Sequence, residues 1–363
     1  MNKSVRPECY LLSVEGALPD NRVSQKKTME LAQGHNCSDP RQRKLLKNVY
    51  GKVTIDERYS VFSEGPSNGH ISFDDFFKDN GPGTKERMLC FEKHAPDLAH
   101  RAAQKAMKSA GISPGDIGHL VSVSCTGFAA PGFDIAIIRS LGLVPSISRT
   151  HVGFMGCHGA LNALRVASAI CKDEPGQDAL VASVELCSLH YRHGWNLREV
   201  LANALFSDGA GAAVVSSRKR SPENWRIAAQ SSFIIPDSED TITWRVGDEG
   251  FEMSLSPKVR PLIQTFLGPW LKEWLAKEGL RIEEIRSWAV HPGGPGVLDS
   301  VEKGLCLPKD ALKFSREILK SFGNMSSVTV LFILEEILRR KGGTPCLSLG
   351  FGPGLTIEAA LFL

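Results

Sequence analysis

Several features are missing from this 363-residue sequence, and each absence excludes a class of protein. The nine cysteines include no CxxC pair and no Cys/His cluster at zinc-ligand spacing, so we expect neither a metal site nor a disulfide framework. No run approaches the roughly 18 apolar residues that membrane insertion needs, and the N-terminal residues lack a signal-peptide core. A formal net charge of +3 gives no electrostatic reason for a nucleic-acid partner. We therefore expect a cytoplasmic protein with reduced cysteines.

What is present is typical of a large α/β protein. Hydrophobic residues make up 42% of the chain, enough for one large domain or two closely packed halves. Helical patterns alternate with short apolar runs, which is typical of sheets covered by helices. A polar stretch at 216–224 divides the chain into predicted halves, 1–220 and 221–363. The charged, turn-rich segment 33–93, with a glycine-rich stretch at 65–69, is interpreted as surface loops and short helices.

The two halves show an internal duplication. A predicted helix at 97–110 stops at Gly111 before a predicted strand at 119–124, and a helix at 261–278 stops at Gly279 before a strand at 287–290. These glycines are 168 positions apart (279 − 111). At nearly the same offset, Cys157 and Asn324 each follow a glycine and open an apolar helix, and apolar runs at 179–186 and 345–349 correspond. Duplication predicts two similar halves around a common centre; chance similarity of ordinary helix–turn–strand units is the alternative.

Cys157 is the candidate nucleophile. It lies at the start of a predicted helix, where backbone N–H groups and the helix dipole stabilise a thiolate. A thiolate is the stronger nucleophile toward a thioester. A buried structural cysteine is the other interpretation of the same local sequence. The neighbouring His158 is interpreted as structural, because adjacent residues on a helix do not face each other.

His291 and Asn324 are the candidate partners of this cysteine. His291 ends an apolar strand before a Gly/Pro turn, a common place for polar residues of α/β active sites. Asn324 precedes an apolar helix, where an asparagine alone would be interpreted as an N-cap. Because Asn324 corresponds to Cys157 in the duplication, we expect both helix N-termini to converge on one site with His291 beside them.

Five motifs occur in order along the chain: GC at 156–157, ALFSDGA at 204–210, HPGG at 291–294, GNMSS at 323–327 and GFGPGLT at 350–356. Together they resemble the motifs of the type III polyketide synthases, the chalcone and stilbene synthase superfamily, and the resemblance covers nearly the whole chain. It implies a thiolase-like αβαβα layered fold built from two duplicated halves. The run at 185–189 looks more like microbial members, many of which take aliphatic starters.

The resemblance also implies an activity and roles for the candidate residues. Cys157 would accept the acyl group, His291 would keep it as a thiolate, and His291 with Asn324 would hold the thioester oxygen. Malonyl-CoA would be condensed iteratively, with decarboxylation, onto an acyl-CoA starter, giving pyrones, resorcinols or related aromatic polyketides. No metal or organic cofactor is needed for this chemistry. The family is homodimeric, so a dimer is expected, with the loop at 128–131 reaching toward the partner.

Further residues are carried over as substrate contacts. Phe206 and Phe251 match the aromatic gatekeepers between the CoA tunnel and the cavity, although either could be a core aromatic. Lys52 and Arg58 fall where the family places basic residues that meet CoA phosphates, with solvated surface charge as the alternative. The expected cavity-lining residues are Cys125, Cys187, His190, Thr243 and Ser326.

Three alternative functions are considered beside iterative condensation. A β-ketoacyl-carrier-protein synthase would share the Cys, His and Asn but condense once and depend on acyl carrier protein. A cysteine hydrolase would release free acid without forming a carbon–carbon bond. A non-catalytic acyl-CoA-binding protein would require that the three polar residues not converge. The GFGPG run and the setting of Phe206 argue against the first of these.

Overall fold

The computed structural model describes residues 8–63, 71–79 and 81–363. Within them, the strands are Tyr10–Ala17 (β1), Asn21–Ser24 (β2), Glu57–Ser60 (β3), Ile117–Ser124 (β4), Ser148–Gly153 (β5), Asp178–Leu186 (β6), Asp208–Ser216 (β7), Trp225–Ile234 (β8), Ile242–Gly247 (β9), Gly250–Leu255 (β10), Ser287–Val290 (β11), Cys346–Gly352 (β12) and Thr356–Phe362 (β13). The helices are Gln25–Asn36 (α1), Pro40–Lys52 (α2), Phe73–Phe76 (α3), Thr84–Ala110 (α4), Phe133–Leu141 (α5), Gly159–Asp173 (α6), Leu197–Leu205 (α7), Val259–Lys277 (α8), Pro295–Leu305 (α9), Lys313–Phe322 (α10) and Thr329–Arg339 (α11).

The main sheet contains nine strands in the order β11-β12-β13-β8-β1-β7-β6-β4-β5. Its two halves meet where β1 pairs antiparallel with β8, through Tyr10 opposite Arg226 and Leu11 opposite Trp225. One half contains the strand order β4-β6-β7-β1, and the other half contains the order β11-β12-β13-β8. In each half the first pair of strands is parallel and the next two pairs are antiparallel. The first residue of β12 lies 168 positions after the first residue of β6 (346 − 178), so the predicted duplication has a structural counterpart.

Five layers result from the helices that cover these strands. Helices α6 and α11 pack in one hydrophobic cluster between the two halves of the sheet. Helix α4 covers the outer face of the first half, and α8 with α9 covers the outer face of the second. Every residue of β6, β7 and β12 is buried, as expected for strands covered on both faces. The fold is the predicted thiolase-like αβαβα arrangement.

Local signals account for where the helices begin and end. Asp39 caps α2 by accepting hydrogen bonds from the N–H groups of Arg41 and Gln42. Pro40 occupies the first turn, where a backbone N–H has no intrahelical acceptor, so the N–H that proline lacks costs no hydrogen bond. Helix α4 ends at Gly111, whose φ of 64° is the left-handed conformation that a Cβ disfavours. The N–H groups of Gly111 and Ile112 then satisfy carbonyls of the last helical turn.

One part of the sequence interpretation was wrong. The segment 33–93 was predicted to be surface loops and short helices, but it contains α2 and the first turns of α4, which begins at Thr84 and not at residue 97. Apolar residues on one face, such as Cys90 and Phe91, extend the buried stripe of α4 through this charged region. The glycine-rich stretch at 65–69 lies outside the described residues. Within the described ranges, no helix combines the length and apolar composition that crossing a membrane requires.

Candidate active site

Cys157 lies in a short 3-10 turn, Gly156–His158, which leads into α6. Gly156 has a φ of 74°, and a Cβ on it would lie 2.5 Å from Cδ of Pro353. A Cβ on Gly352 would lie 2.9 Å from the carbonyl oxygen of Met155. The glycines of the GFGPG run therefore allow the loop after β12 to pack directly against the turn that carries the thiol.

His291 follows β11 and is fixed by its backbone, because its N–H donates to the carbonyl of Leu349 at 2.8 Å. The side chain is 1% exposed, and within the described part of the chain neither ring nitrogen has a hydrogen-bond partner. Burial, with a smaller contribution from the nearby His158, lowers the pKa of the imidazole to about 3. A buried imidazole whose two nitrogens lack hydrogen-bond partners can accept or donate a proton within the cleft.

Asn324 is positioned on both sides of its Cα. Its N–H donates to the carbonyl of Leu205 and its carbonyl accepts from Ser207, both at 2.9 Å. Its side-chain Oδ1 accepts from the N–H of Ser326 at 2.8 Å. Because a backbone N–H can only donate, this bond fixes the amide orientation and leaves the Nδ2 group as the donor available to the cleft.

A buried polar chain connects Cys157 to a carboxyl group. The hydroxyl of Ser326 lies 3.7 Å from the Cys157 sulfur and 3.2 Å from the Cys125 sulfur. The Cys125 sulfur lies 3.2 Å from Oε1 of Glu185. The same carboxyl group accepts from the Ser327 hydroxyl at Oε1 and from the Thr126 hydroxyl at Oε2. Burial raises the pKa of Cys157 to about 12, while the Ser326 hydroxyl acts in the opposite direction. Burial also raises the pKa of Glu185.

Phe251 and His190 form one wall of the cleft. Their rings stack with centroids 4.3 Å apart and planes 14° apart. His190 donates from Nε2 to the carbonyl of Thr126 at 2.7 Å and accepts the N–H of Phe251 at Nδ1 at 2.9 Å, so both its nitrogens are engaged. Trp244 completes the wall by donating from its indole N–H to the carbonyl of Cys125 at 2.6 Å. Burial lowers the pKa of His190 to about 3, which keeps the ring neutral.

The cleft brings most of the predicted site residues together around a cavity of about 160 Å³. Cys157, His291 and Asn324 all line it, so the three elements converge as the duplication predicts. The other predicted residues that line it are Cys125, Cys187, His190, Phe206, Phe251, Ser326 and Arg58. The remaining walls are largely apolar and include Leu31, Phe62, Phe73, Ile242, Met253, Leu255 and Val259.

Two predicted contacts have different surroundings from those expected, and a third stays a prediction. Thr243 is not part of the lining; the alternation of β9 turns the next residue, Trp244, toward the cleft instead. Arg58 was expected at a CoA phosphate or as a solvated charge, but it is 7% exposed and donates to the backbone carbonyls of Asn203 and Phe206. Lys52 is exposed at the end of α2 and does not line the cleft, and its predicted phosphate contact stays a prediction.

Sequence reasoning missed two residues of the site. Glu185 is the one charged residue within 179–186, and a single carboxyl group inside an apolar strand is a signal that could have identified it. Trp244 carried no such signal, because its role depends on the register of the β9–β10 hairpin. Among the described residues, no group of three His, Cys, Asp or Glu side chains is arranged to hold a metal ion.

Comparison with protein families gives two matches that together span the chain. Residues 1–219 match the model of the chalcone and stilbene synthase N-terminal domain, and residues 225–363 match that of the C-terminal domain. The chain is 35% identical over 332 residues to the alpha-pyrone synthesis polyketide synthase-like Pks18 of Mycobacterium tuberculosis, covering 89% of this chain and 83% of that protein. It is 32% identical over 356 residues to the 1,3,6,8-tetrahydroxynaphthalene synthase of Streptomyces peucetius, covering 96% and 91%.

Solved structures agree with these matches. The crystal structure of PKS-I from the brown alga Ectocarpus siliculosus superposes with a TM-score of 0.92 at 28% identity and covers 99% of each chain. The 1,3,6,8-tetrahydroxynaphthalene synthase of Streptomyces coelicolor, a bacterial type III polyketide synthase, gives 0.88 at 28% identity, covering 97% of this chain and 98% of that one.

Proposed function

Because this chain belongs to the chalcone and stilbene synthase family, we propose that Cys157, His291 and Asn324 are its catalytic residues and that Cys157 carries the growing acyl chain. The chain is a type III polyketide synthase, an acyltransferase that condenses malonyl-CoA iteratively, with decarboxylation, onto an acyl-CoA starter. The observation that supports the residue assignment is the convergence of these three side chains on one cleft from two duplicated halves.

The first step loads the starter. The Cys157 thiol gives its proton to the free imidazole of His291, and the sulfur attacks the carbonyl carbon of the acyl-CoA. A C–S bond to Cys157 forms, the C–S bond to CoA breaks, and CoA leaves as a thiol with the proton from His291. The thioester oxygen becomes negatively charged on the way, and the Nδ2 donor of Asn324 is placed to stabilise it.

The second step extends the chain. Malonyl-CoA loses its carboxylate as CO₂, and the bonding electrons form an enolate whose charge resides on the thioester oxygen. Imidazole N–H and amide N–H donors aimed at this oxygen lower the barrier, each typically by several kcal/mol in a dry site. The enolate carbon then attacks the acyl carbon on Cys157, releasing the thiolate and leaving a β-ketoacyl-CoA for another round.

The starter is proposed to be an aliphatic acyl-CoA. The walls beyond Cys157 are largely apolar, and His190, with both nitrogens engaged, offers a starter little hydrogen bonding. Such a surface gains free energy from each methylene it covers, about 0.8 kcal/mol. The alpha-pyrone synthesis relative supports a pyrone as the expected product. We also propose that the protein works in the cytoplasm as a homodimer.

The alternative functions find no support among the relatives. Those compared above are polyketide synthases, and the family models cover both halves of the chain.

The test is incubation of the purified protein with labelled malonyl-CoA and acyl-CoA starters from acetyl to long-chain and aromatic. We expect mass spectrometry to detect pyrones that carry several malonyl-derived units, with aliphatic starters preferred and no product from Cys157→Ala. Free acids alone, or a single condensation with every starter, would refute the proposed function. A preference for aromatic starters would refute only the proposed starter class.

A further inference from the structure

The C-terminal end of α7 is joined directly to the proposed oxyanion donor. The last carbonyls of a helix have no intrahelical partner and need another donor. Here the carbonyl of Ala204 accepts from Nε2 of Gln25 at 2.9 Å, and that of Leu205 accepts from the N–H of Asn324 at 2.9 Å. The N–H of Ser207 returns a bond to the Asn324 carbonyl. The backbone around Phe206 and the backbone of Asn324 therefore move as one unit.

Arg58, from β3, supplies the remaining donor at this helix end. Its Nη1 donates to the carbonyl of Asn203 and, at 2.8 Å, to that of Phe206. A cation at a helix C-terminus is also stabilised by the helix dipole. Within the described residues, no carboxylate forms an ion pair with Arg58, although the side chain is only 7% exposed. Its Nη1 group is thus directed at the carbonyls of Asn203 and Phe206, whereas Nε and Nη2 have no hydrogen-bond partner among the described residues.

The aliphatic part of Arg58 contacts the other side of the same unit. Gly323, which precedes Asn324, has a φ of 71°, and a Cβ built on it would lie 3.1 Å from Cγ of Arg58. The turn that presents Asn324 therefore rests against the stem of Arg58. The next residue on β3, Tyr59, is fixed by the hydroxyl of Ser207, which accepts from its N–H at 2.9 Å. Arg58 consequently touches both the segment that carries Phe206 and the turn that carries Asn324.

We propose that Arg58 is a positioning residue that holds Phe206 and Asn324 in fixed relation to each other, and that it does not contact the CoA phosphates. This inference rests on the proposed function, because it assigns Asn324 as the donor to the thioester oxygen. Stabilisation of a developing charge depends on donors placed within a fraction of an ångström. Loss of Arg58 leaves two buried carbonyls without their donor, and the end of α7 with the attached Asn324 shifts.

The experiment compares Arg58→Met with the wild type on two sets of substrates. One set is malonyl-CoA and an acyl-CoA starter; the other is the corresponding N-acetylcysteamine thioesters, which have no phosphates. We expect kcat for malonyl decarboxylation to fall by about 10- to 100-fold with KM changed by less than about threefold. The same loss is expected with the phosphate-free thioesters, and Arg58→Lys should recover part of kcat because it keeps one cationic donor.

Arg22→Met is the matched control, since Arg22 lies opposite Tyr59 on the adjacent strand β2 but is 59% exposed at its side chain. Its kinetics should equal those of the wild type. Thermal unfolding and stoichiometric alkylation of Cys157 verify that each variant is folded. If Arg58→Met is not folded, Arg58→Lys is compared with the wild type in its place. A phosphate contact would instead raise KM for the CoA substrates with kcat unchanged and leave KM for the phosphate-free thioesters at its wild-type value. That result would overturn the proposal. Unchanged kinetics would overturn it outright, whereas a wild type inactive on every substrate would refute the proposed function instead.

Discussion

The imidazole of His291 is buried and Cys157 is half-buried, and in both cases desolvation opposes the charged form of the side chain. Desolvation is the largest of the causes that raise the pKa of Cys157 to about 12 and lower that of His291 to about 3. Transfer of the thiol proton to the imidazole creates both charges together, and opposite charges in a weakly screened site stabilise one another. The nucleophile predicted from the helix N-terminus therefore depends on His291 at least as much as on the helix.

His291→Gln tests this dependence through the reactivity of Cys157. Without a proton acceptor, burial alone governs the thiol, so its pKa stays high. We expect iodoacetamide labelling of Cys157 at pH 7 to fall by about tenfold or more, and to keep rising up to pH 10. The wild type should level off at lower pH. Superimposable pH profiles for the two proteins would show that His291 does not ionise the thiol.

His190 was predicted to shape the cavity, and its bonds suggest what happens on its removal. His190→Ala deletes a ring stacked on Phe251 and leaves the carbonyl of Thr126 and the N–H of Phe251 without their partners. We expect a loss of about 2 to 5 kcal/mol in unfolding free energy and a shift toward longer starters or more extensions. Chemical denaturation and product mass spectra measure these effects. His100→Leu, on α4 and outside the cleft lining, is the control; a His190→Ala variant with wild-type products and stability would contradict the prediction.

At the scale of elements, α11 carries a carboxyl group, that of Glu335, whose charged form is disfavoured by its surroundings. Glu335 lines a small cavity with Gly16 and Lys105, and burial, followed by the charge of Glu15, raises its pKa to about 7. A carboxyl pKa raised by folding means that the native state binds the proton more tightly than the unfolded chain. Its contribution to stability is therefore lost as pH rises from about 4.5 to about 7.

Glu335→Gln should remove this pH-dependent loss, because the amide resembles the protonated acid. We expect the variant to be more stable than the wild type by about 1 to 2 kcal/mol at pH 8, a value reduced for partial exposure, and equal to it at pH 4.5. Urea denaturation at both pH values measures the difference. Glu239→Gln, at an exposed carboxylate, is the control. A stability difference of the same size at both pH values would exclude titration of Glu335 as its cause.

How far the sequence predicts these elements depends on whether local signals decide them. Gly111 and Gly279 stop two helices wherever the chain goes next, and both helices end within a residue or two of the predicted position. The start of α4 was missed because its buried face runs through a highly charged segment. The roles of Arg58 and Trp244 could not be predicted, since burial of the first and orientation of the second follow from long-range packing onto α7 and the β9–β10 hairpin.

For the whole molecule, the duplication explains why one cleft contains both Cys157 and Asn324. Each residue precedes the helix that its half contributes to the central layer, α6 or α11, so both helix starts point to the same place. His291 reaches it from the end of β11. The sequence could predict this convergence because an internal repeat carries three-dimensional information that a single motif lacks.

The remaining prediction concerns the surface near this cleft. Phe128 is 66% exposed, and its N–H contacts the sulfur of Met88, so its loop lies beside Leu89, which is 54% exposed. Phe154, held to Ser124 by its N–H, is 45% exposed. Large apolar side chains gathered in this way are typical of a surface that another protein covers.

We expect light scattering to give twice the monomer mass. Phe128→Asp should move the equilibrium toward monomer on dilution, since a carboxylate is costly to bury there. Ile234→Asp, at a residue 64% exposed on β8, is the control for added charge alone. A wild type that is monomeric at micromolar concentration would refute the dimer; a dimer unaffected by Phe128→Asp would place the interface elsewhere.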